Sequence, residues 1–298
     1  MSKKMKAESV NETMTVEQYQ ESRAALRLLA RSRDDFQAMR KALDGRIGRK
    51  ADGTPRNVAQ TMSAEDAVAF GDISDESRRE EAKIEKHMEL VLRRFAIYRN
   101  WLSKVKGVGP VSAAWILGEF DIYRANTVSA LWQFSGMNPG MVRATKTEKE
   151  KDGTRRMWKV DELVRGDRLS PGFVAPFNKR LRVALLGVMA SGFIKAQNEY
   201  ALKYYYALHA PESRVKEEGM APGRLDVEEN NTEERAGNGK IKVVAWKDTT
   251  DGHRNRAAIR YMVKMFLADL YREWRPLHGL EVRPPYHEAV LGHKHHAA

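Results

Sequence analysis

Apolar positions at helical spacing dominate the first hundred residues of the chain. Residues 15–44 carry apolar side chains every three or four positions, which predicts a long amphipathic helix capped by Thr15. A second pattern of this kind begins near Ser74 and continues to Tyr98, with acidic residues early and arginines late, as the helix dipole favours. Together the two patterns predict a helical hairpin or coiled-coil arm over residues 1–100. We expect this arm to be a structural element or a dimer interface.

The remaining residues, 101–298, are predicted to form a second domain that is also helical, with little strand content. The fold class is therefore mainly α, with an N-terminal helical arm and a C-terminal helical domain. Besides the two long helices, we expect a short helix at 64–70 and buried helices at 112–120 and 128–134. Residues 141–177 should form a loop or a short hairpin that turns at Asp152-Gly153, followed by a long helix over 178–209. After these we expect a mobile insertion over 211–239, a strand at 241–246 and a long helix over 255–274.

Positive charge is concentrated in one part of the second domain. The whole chain of 298 residues has 52 Lys and Arg against 40 Asp and Glu, a net charge of +12. Residues 141–210 alone hold 14 Lys and Arg against 7 Asp and Glu, which leaves +7 in that part. Charge that only keeps a protein in solution is spread evenly, whereas a local surplus is typical of a surface that meets a polyanion. The distribution favours a nucleic-acid partner.

The composition also excludes several classes of protein. The chain has no cysteine, so it has no disulfide, thiolate zinc site, iron–sulfur cluster or cysteine nucleophile. Hydrophobic residues make up 42% of the chain, which is enough to form a folded core. The polar N-terminus lacks the apolar core of a signal peptide, and no run of eighteen apolar residues is present. We expect an intracellular protein with no membrane partner and no cofactor.

A glycine-punctuated segment in the centre of the chain is the most specific candidate for phosphate binding. Gly107 and Gly109 allow backbone conformations closed to other residues, and Pro110 suits the first turn of the helix that follows. Backbone amides that open toward a helix start can bind a phosphate, and Lys104 and Lys106 add charge beside them. The pattern is that of a helix-hairpin-helix motif. The alternative is a tight helix–helix turn that binds nothing.

Three further groups of polar and basic residues are candidates for contacts to a nucleic-acid backbone. The first lies in the basic segment after residue 141, and the second begins the predicted helix at 178, where the dipole disfavours cations unless an anion is near. The third recurs every four residues in the last helix, as a solvated stripe or as one that follows a backbone. The candidates are Arg143, Lys146, Arg155, Arg156 and Lys159; Asn178, Lys179, Arg180 and Arg182; and Arg256, Arg260 and Lys264.

Several aromatic residues are candidate platforms for stacked bases. Trp132, Trp158 and the run Tyr204–Tyr206 have side chains of the right kind. Aromatic residues at these spacings more often belong to a hydrophobic core. We therefore expect them in the core.

Residues able to cleave nucleic acid are hard to identify in the sequence. Metal-dependent nucleases cluster carboxylates around magnesium ions, and the acids here do not follow the strand pattern of a ribonuclease-H-like fold. The histidines near the C-terminus are assigned no role, and no metal site is expected. The residues considered were Asp121, Asp161, Glu162 and Asp167, with His293, His295 and His296.

Two segments carry a resemblance to a known family. The run Leu-Ser-Lys-Val-Lys-Gly-Val-Gly-Pro-Val-Ser-Ala-Ala-Trp-Ile-Leu-Gly-Glu-Phe at 102–120 is followed by Leu-Trp-Gln-Phe-Ser-Gly-Met-Asn-Pro at 131–139. Together they resemble the C-terminal domain of the bridge-RNA-guided insertion-sequence transposases, which contains a helix-hairpin-helix. Softer similarity at 178–185 and 256–271 extends the resemblance to about two thirds of the chain.

The chain departs from those transposases at both catalytic positions. They carry a RuvC-like domain with four acidic residues before this region, where residues 1–100 here form a helical arm. They also carry a catalytic serine after the Gly-x-x-Pro segment, where residues 140–153 contain no serine. A helical arm joined to such a domain is similar to the Nop domains of box C/D ribonucleoproteins. The combination looks most like the Tas proteins of TIGR systems, in the minimal form that has no nuclease.

The resemblance implies an RNA-guided DNA-binding protein that holds a guide RNA and its target DNA without cleaving the DNA. It also implies a homodimer formed through the arm. Such a protein would act in the cytoplasm of a prokaryotic or phage-infected cell. We expect no enzymatic activity. One alternative is a divergent transposase or recombinase with Ser112, Ser135 or Ser170 as its nucleophile. Another is a structural RNA-binding subunit that does not contact DNA.

Overall fold

The computed structural model describes residues 14–46, 63–138, 141–166, 169–211, 231–235 and 240–284. Helices account for 65% of the structure and strands for 11%, which confirms the predicted mainly α class. The chain divides into two compact units. The first combines the residues up to 100 with residues 113–119, and the second combines residues 101–112 with those from 120 onward.

The first unit is a helical hairpin. It consists of α1 (Val16–Arg46), α2 (Ala64–Leu92) and the short α3 (Ala96–Asn100). A reciprocal cap begins α1 at the predicted residue: Thr15 Oγ1 accepts from the Gln18 N–H (3.2 Å), and Gln18 Oε1 accepts from the Thr15 N–H (3.0 Å). Asp44, near the end of α1, bonds to Ser74 in the first half of α2, whereas Arg33, earlier in α1, bonds to Glu85, later in α2, so the two helices run antiparallel, as predicted.

Helix α2 begins earlier than the sequence pattern predicted. The hydroxyl of Ser63 caps it by accepting from the Asp66 N–H (3.0 Å), so the expected short helix at 64–70 is the first part of α2. Ser74 was expected near the helix start, but it lies inside α2, buried, and its hydroxyl donates to Asp44 Oδ1 (2.5 Å). Because α1 satisfies this hydroxyl, Ser74 does not interrupt the helix. Contacts to α1 also outweigh the poor helix propensity of Gly71.

A small apolar core and a series of ion pairs hold the hairpin together. The rings of Tyr19 and Phe95 pack edge to face at 5.8 Å, and both side chains are buried. Ion pairs between segments join Arg33 to Glu81 and Glu85, Arg40 to Glu81, Arg78 to Asp44, and Arg31 to Glu119; pairs within a helix join Arg40 to Asp44, Arg79 to Glu76, Lys83 to Glu80, and Arg93 to Glu89. Much of the positive charge of the arm is therefore neutralised within the arm.

The second unit begins with a turn and two of the predicted helices. The turn leads into α4 (Pro110–Glu119), whose first three residues belong to this unit. Helix α5 (Val128–Phe134) is capped by Thr127, whose hydroxyl accepts from the Ala130 N–H (3.2 Å). Both helices are confirmed within two residues of their predicted bounds.

A loop or a short hairpin was predicted for residues 141–177, and the described part of this range contains the hairpin. Strands β1 (Met141–Lys149) and β2 (Arg155–Arg165) pair antiparallel. At the tip, Gly153 has a φ of 88°, and the Thr154 N–H donates to Asp152 Oδ1 (2.9 Å), as expected for the predicted turn. A third segment joins the other edge of β1, where Phe173 pairs with Lys146.

The long helix predicted over residues 178–209 is interrupted. Gln197 adopts a left-handed conformation with φ of 46°, which ends the first part. The buried Asn198 then begins the second part, because its Oδ1 accepts from the Ala201 N–H (2.9 Å). The segments are α6 (Lys179–Val183), a π-helical turn (Ala184–Met189), α7 (Ala190–Ala196), a second π-helical turn (Ala201–Tyr206) and α8 (Ala207–His209).

The last elements correct two further expectations. Strand β3 (Asn231–Arg235) pairs antiparallel with the predicted strand β4 (Ile241–Ala245), so this part of the expected mobile insertion is ordered in a sheet. Residues 212–230 and 236–239 of that insertion lie outside the described residues. Helix α9 (Asp251–Trp274) begins before the predicted Asn255, because the Thr250 hydroxyl caps it by accepting from the His253 N–H (3.3 Å).

Helix α9 is the centre of the second unit, and its C-terminal end fixes the turn before α5. Met262, Phe266 and Tyr271 of α9 are fully buried. The buried Arg275 donates to the carbonyl oxygens of Ile122 (3.2 Å) and Ala125 (2.7 Å). These charge-assisted bonds hold the turn from which α5 begins, and α5 leads in turn to the β1–β2 hairpin.

Candidate nucleic-acid interface

The β1–β2 hairpin sorts its side chains onto two faces, because successive residues of a strand point to opposite sides and paired residues share a side. In the regular part of the ladder the pairs on one side are Thr145 with Lys159, Thr147 with Met157, and Lys149 with Arg155; Arg143 pairs with Leu163 beyond a register shift. We call this side the cationic face, after its cations Lys149, Arg155 and Lys159.

The opposite side combines cations with aromatic rings. Here Lys146 pairs with Trp158 on β2 and with Phe173 on the third segment, and Arg156 pairs with Glu148 of β1. The Lys146 ammonium lies 5.1 Å from the Phe173 ring centroid, and the Arg156 guanidinium lies 5.9 Å from the Trp158 ring centroid. We call this side the aromatic face, made of Lys146, Arg156, Trp158 and Phe173.

The cations of the hairpin form no ion pairs. Within the part of the chain that the structure describes, no Asp or Glu oxygen lies within salt-bridge distance of these six basic side chains, although Glu148 is the cross-strand neighbour of Arg156. Five of them are exposed and one is partly exposed. The exposed residues are Arg143, Lys149, Arg155, Arg156 and Lys159, and the partly exposed one is Lys146.

The sequence predicted most of these cations but missed two side chains. All five basic candidates of this segment lie on the one hairpin, and Lys149 joins them through its pairing with Arg155. The expectation that Trp158 and Tyr206 belong to the core is wrong, because 38% and 41% of their surfaces are exposed, whereas Tyr205 is buried as expected. The signal was present in the sequence: Trp158 follows the turn residues by a few positions and stands among cations, as in an exposed strand.

The predicted helix-hairpin-helix turn is shaped by two glycines in contact. Val105 O accepts from the Val108 N–H (3.0 Å), and Gly107 takes a φ of 94°, as the third residue of such a β-turn requires. A Cβ added to Gly107 would lie 2.8 Å from Gly192 O, and one added to Gly192 would lie 2.5 Å from Gly107 O. Glycine is therefore needed at Gly107 both for its conformation and for this approach to α7.

The amides of this turn are available to an anion. The Asn198 side chain donates to Lys106 O (2.8 Å), and in a trans peptide this directs the Gly107 N–H to the opposite side. Among the described residues, neither the Gly107 N–H nor the Gly109 N–H has a hydrogen-bond acceptor. Lys104 and Lys106 are exposed beside them. The arrangement of amides and ammonium groups suits a phosphate.

The residues predicted at the start of α6 divide into structural and available ones. Asn178 is the N-cap, since its Oδ1 accepts from the Leu181 N–H (3.0 Å). Arg182 donates to the Gly136 carbonyl and stacks over the Phe177 ring at 5.0 Å. These contacts give both residues a role in anchoring the segment that leads into β1. Lys179 and Arg180 are exposed.

One helical segment connects the turn and the hairpin. The Gly107 turn contacts Gly192 in α7, and the segment entering β1 contacts the residues around the start of α6. This segment runs from α6 through a π-helical turn into α7. The two candidate phosphate contacts are therefore held at a fixed separation within this unit.

The predicted stripe on α9 is only partly available. Arg256 is exposed, while Arg260 is half-buried and bonds back to the Arg256 carbonyl (3.4 Å). The Lys264 ammonium lies 4.4 Å from the ring centroid of the buried Trp132, whose indole N–H donates to the Lys264 carbonyl (3.0 Å). Lys264 thus helps to fix α5 against α9, and Trp132 belongs to the core as expected.

The residues considered for catalysis are dispersed. Ser112 and Ser135 are buried, and the Ser135 hydroxyl donates to the Leu131 carbonyl (2.7 Å), while Ser170 is exposed. Among the described residues, no three His, Asp or Glu side chains are grouped as a metal site would need. Asp167 and the three C-terminal histidines lie outside those residues.

Comparison with known proteins adds no relative: no protein-family model, curated protein or solved structure matches the chain. Within the described ranges, no helix has the length and apolar character needed to cross a bilayer. The two candidate phosphate contacts, the Gly107 turn and the β1–β2 hairpin, are the features of this unit that suit a polyanion.

Proposed function

We propose that this chain binds nucleic acid through the phosphate backbone, and that it holds a guide RNA and its DNA target without cleaving the DNA. One observation carries the proposal. The β1–β2 hairpin exposes cations on both faces, and none forms an ion pair in the described part of the chain.

Basic residues of the arm, unlike those of the β1–β2 hairpin, form ion pairs. There, arginines of α1 and α2 are paired with carboxylates, for example Arg33 with Glu85 at 3.0 Å and Arg40 with Glu81 at 2.5 Å. On the hairpin, Lys149 pairs directly with Arg155, and neither forms an ion pair with a carboxylate, so the repulsion between these two cations disfavours the folded hairpin. Phosphate groups would offset that repulsion and release their own counterions on binding.

The helix-hairpin-helix turn offers a second contact of the same kind. Its free amides and its exposed Lys104 and Lys106 are suited to one phosphate. Both sites belong to the second unit, so one nucleic-acid molecule would contact both of them.

A guide would supply the choice of target. Contacts to phosphates fix position but carry no sequence information, so a protein that grips the backbone needs base pairing to select a sequence. This division agrees with the resemblance to Tas proteins. Such a protein would act in the cytoplasm, where RNA and DNA of a prokaryotic cell are both present.

We also propose that the arm pairs with that of a second copy. Leu28 and Leu90 are 68% and 62% exposed. The bond between Arg33 and Glu85 shows which residues of α1 and α2 lie side by side. Leu28 and Leu90 are each five residues from that bond, so they lie at about the same level along the arm. Large apolar side chains exposed at one level are typical of an interface.

The test of the proposed function is to purify the full chain from cells that carry its own genomic locus and to sequence the RNA bound to it. We expect a discrete small RNA, and we expect DNA complementary to that RNA to bind the complex better than a scrambled strand. RNA-free protein that takes up no guide would contradict the proposal. Equal binding of both DNA strands would leave only a structural RNA-binding role.

A further inference from the structure

The aromatic face of the hairpin leaves part of an indole ring open to solvent. Trp158 is 38% exposed, and positions 155–159 are all exposed. The exposed part of the ring contributes no burial free energy, and an aromatic surface beside cations can stack on a ligand. Its partners on this face are a cation and a second ring rather than aliphatic side chains.

Strand β2, strand β1 and the third segment place these groups side by side in one row. Trp158 on β2, Lys146 on β1 and Phe173 on the third segment lie side by side, because each is paired with the next. Neighbouring strands are about 4.8 Å apart, so the two rings lie roughly 10 Å apart with the ammonium group between them. Arg156, on the same face of β2, adds a planar cation near the indole.

This row matches the chemistry of unpaired nucleotides. A base of any sequence has a flat face that stacks on an aromatic ring, while its phosphate needs a cation next to that ring. In a duplex the faces of the bases are covered by their neighbours, so an indole on a protein surface has access only to single-stranded or splayed bases. The cationic face, whose cations stand among threonines and apolar side chains, offers only backbone contacts.

We propose that the aromatic face binds single-stranded nucleic acid, with a base stacked on Trp158 and the adjoining phosphates held by Lys146 and Arg156. This inference rests on the proposed function and adds a substrate class to it. The cationic face contributes positive charge to the binding of both single-stranded and double-stranded nucleic acid. The preference for single strands comes from Trp158.

The test measures the affinity of the full chain for four probes: an RNA and a DNA strand of about 12 nucleotides, and the duplex of each. Trp158→Ala is compared with Trp158→Phe, which keeps a ring, and with Met157→Ala. Met157 is a suitable control because it is 63% exposed and belongs to the opposite face. Thermal melting of each variant checks that the fold is intact.

We expect Trp158→Ala to weaken binding of the single strands by roughly tenfold and binding of the duplexes by less than about twofold. Trp158→Phe should recover most of the loss, and Met157→Ala should change little. A larger loss with the RNA strand than with the DNA strand would identify the guide as the stacked partner, and the reverse would identify the target.

The outcomes separate the two proposals. If the unaltered chain binds none of the four probes, both proposals fail. If it binds them but Trp158→Ala affects neither form, or affects single strands and duplexes equally, the stacking proposal alone is overturned.

Discussion

Single buried polar residues fix the turns of the second unit. Asn198 bonds to both the Lys106 carbonyl and the Ala201 N–H, so one amide side chain joins the Gly107 turn to the helix that follows α7. Arg275 holds two carbonyl groups of the turn before α5. Leaving such partners unpaired in the interior costs about 1–3 kcal/mol each, which explains why these residues lie at the element ends that shape the interface.

His278 extends this network and makes it sensitive to pH. The Trp274 indole N–H donates to His278 Nε2 (3.3 Å), which leaves Nδ1 to carry the proton toward the Tyr123 hydroxyl (2.9 Å). Burial disfavours the charged ring and lowers the pKa of His278 below its usual 6.5. As pH falls through that value, the unfolded chain binds a proton before the folded one does. The stability from this histidine is therefore complete above the unfolded pKa and declines below it.

Melting temperatures measured between about pH 7.5 and about pH 5 check this prediction. His278→Gln should reduce the loss of stability on acidification relative to the unaltered chain. His87→Gln is the matched control, since His87 is exposed on α2. A pH dependence that is unchanged by His278→Gln, or reduced as much by His87→Gln, would contradict the assignment.

At the scale of elements, periodicity predicted which segments are helical but not where they begin and end. The second arm helix was expected from Ser74, yet Ser63 caps it, and Ser74 is satisfied by Asp44 from the other helix. The break at Gln197 was missed because Asn198 is held by the Lys106 carbonyl, 92 residues away in the sequence. Local pattern does not contain such long-range partners, so it places element ends poorly and element types well.

The arm carries an element-scale prediction about assembly. Size-exclusion chromatography with light scattering should give twice the mass of one 34.0 kDa chain. Charging the exposed apolar pair with Leu28→Lys and Leu90→Lys should give a monomer, because a charge buried at an interface costs more than it gains. Leu163→Lys is the control, as Leu163 is 61% exposed on the hairpin. A monomeric mass for the unaltered chain would exclude a dimer formed by the arm.

At the scale of the whole molecule, the two units treat charge differently. Counting residues predicted that the surplus of positive charge lies between 141 and 210, and five candidate cations of that part lie on one hairpin. Counting did not predict that the arginines of the arm are neutralised by pairing across helices. Nor did it separate the cations that a phosphate can reach from Arg182 and Lys264, which stack on rings of their own unit. Whether a phosphate can reach a cation depends on the side chains that surround it in the folded structure, which a count along the sequence does not include.

The most direct test of backbone binding compares the salt dependence of affinity for two triple variants with the same change in charge. One removes hairpin cations (Lys149→Gln, Arg155→Gln and Lys159→Gln), and the other removes paired arm cations (Arg79→Gln, Lys83→Gln and Arg93→Gln). Duplex affinity is measured between about 50 mM and about 200 mM salt.

The hairpin variant should bind more than about tenfold more weakly and flatten the slope of log affinity against log salt by about 2 to 3, whereas the arm variant should stay within about twofold of the unaltered chain. Equal effects of the two variants, or a slope that the hairpin variant leaves unchanged, would contradict the account.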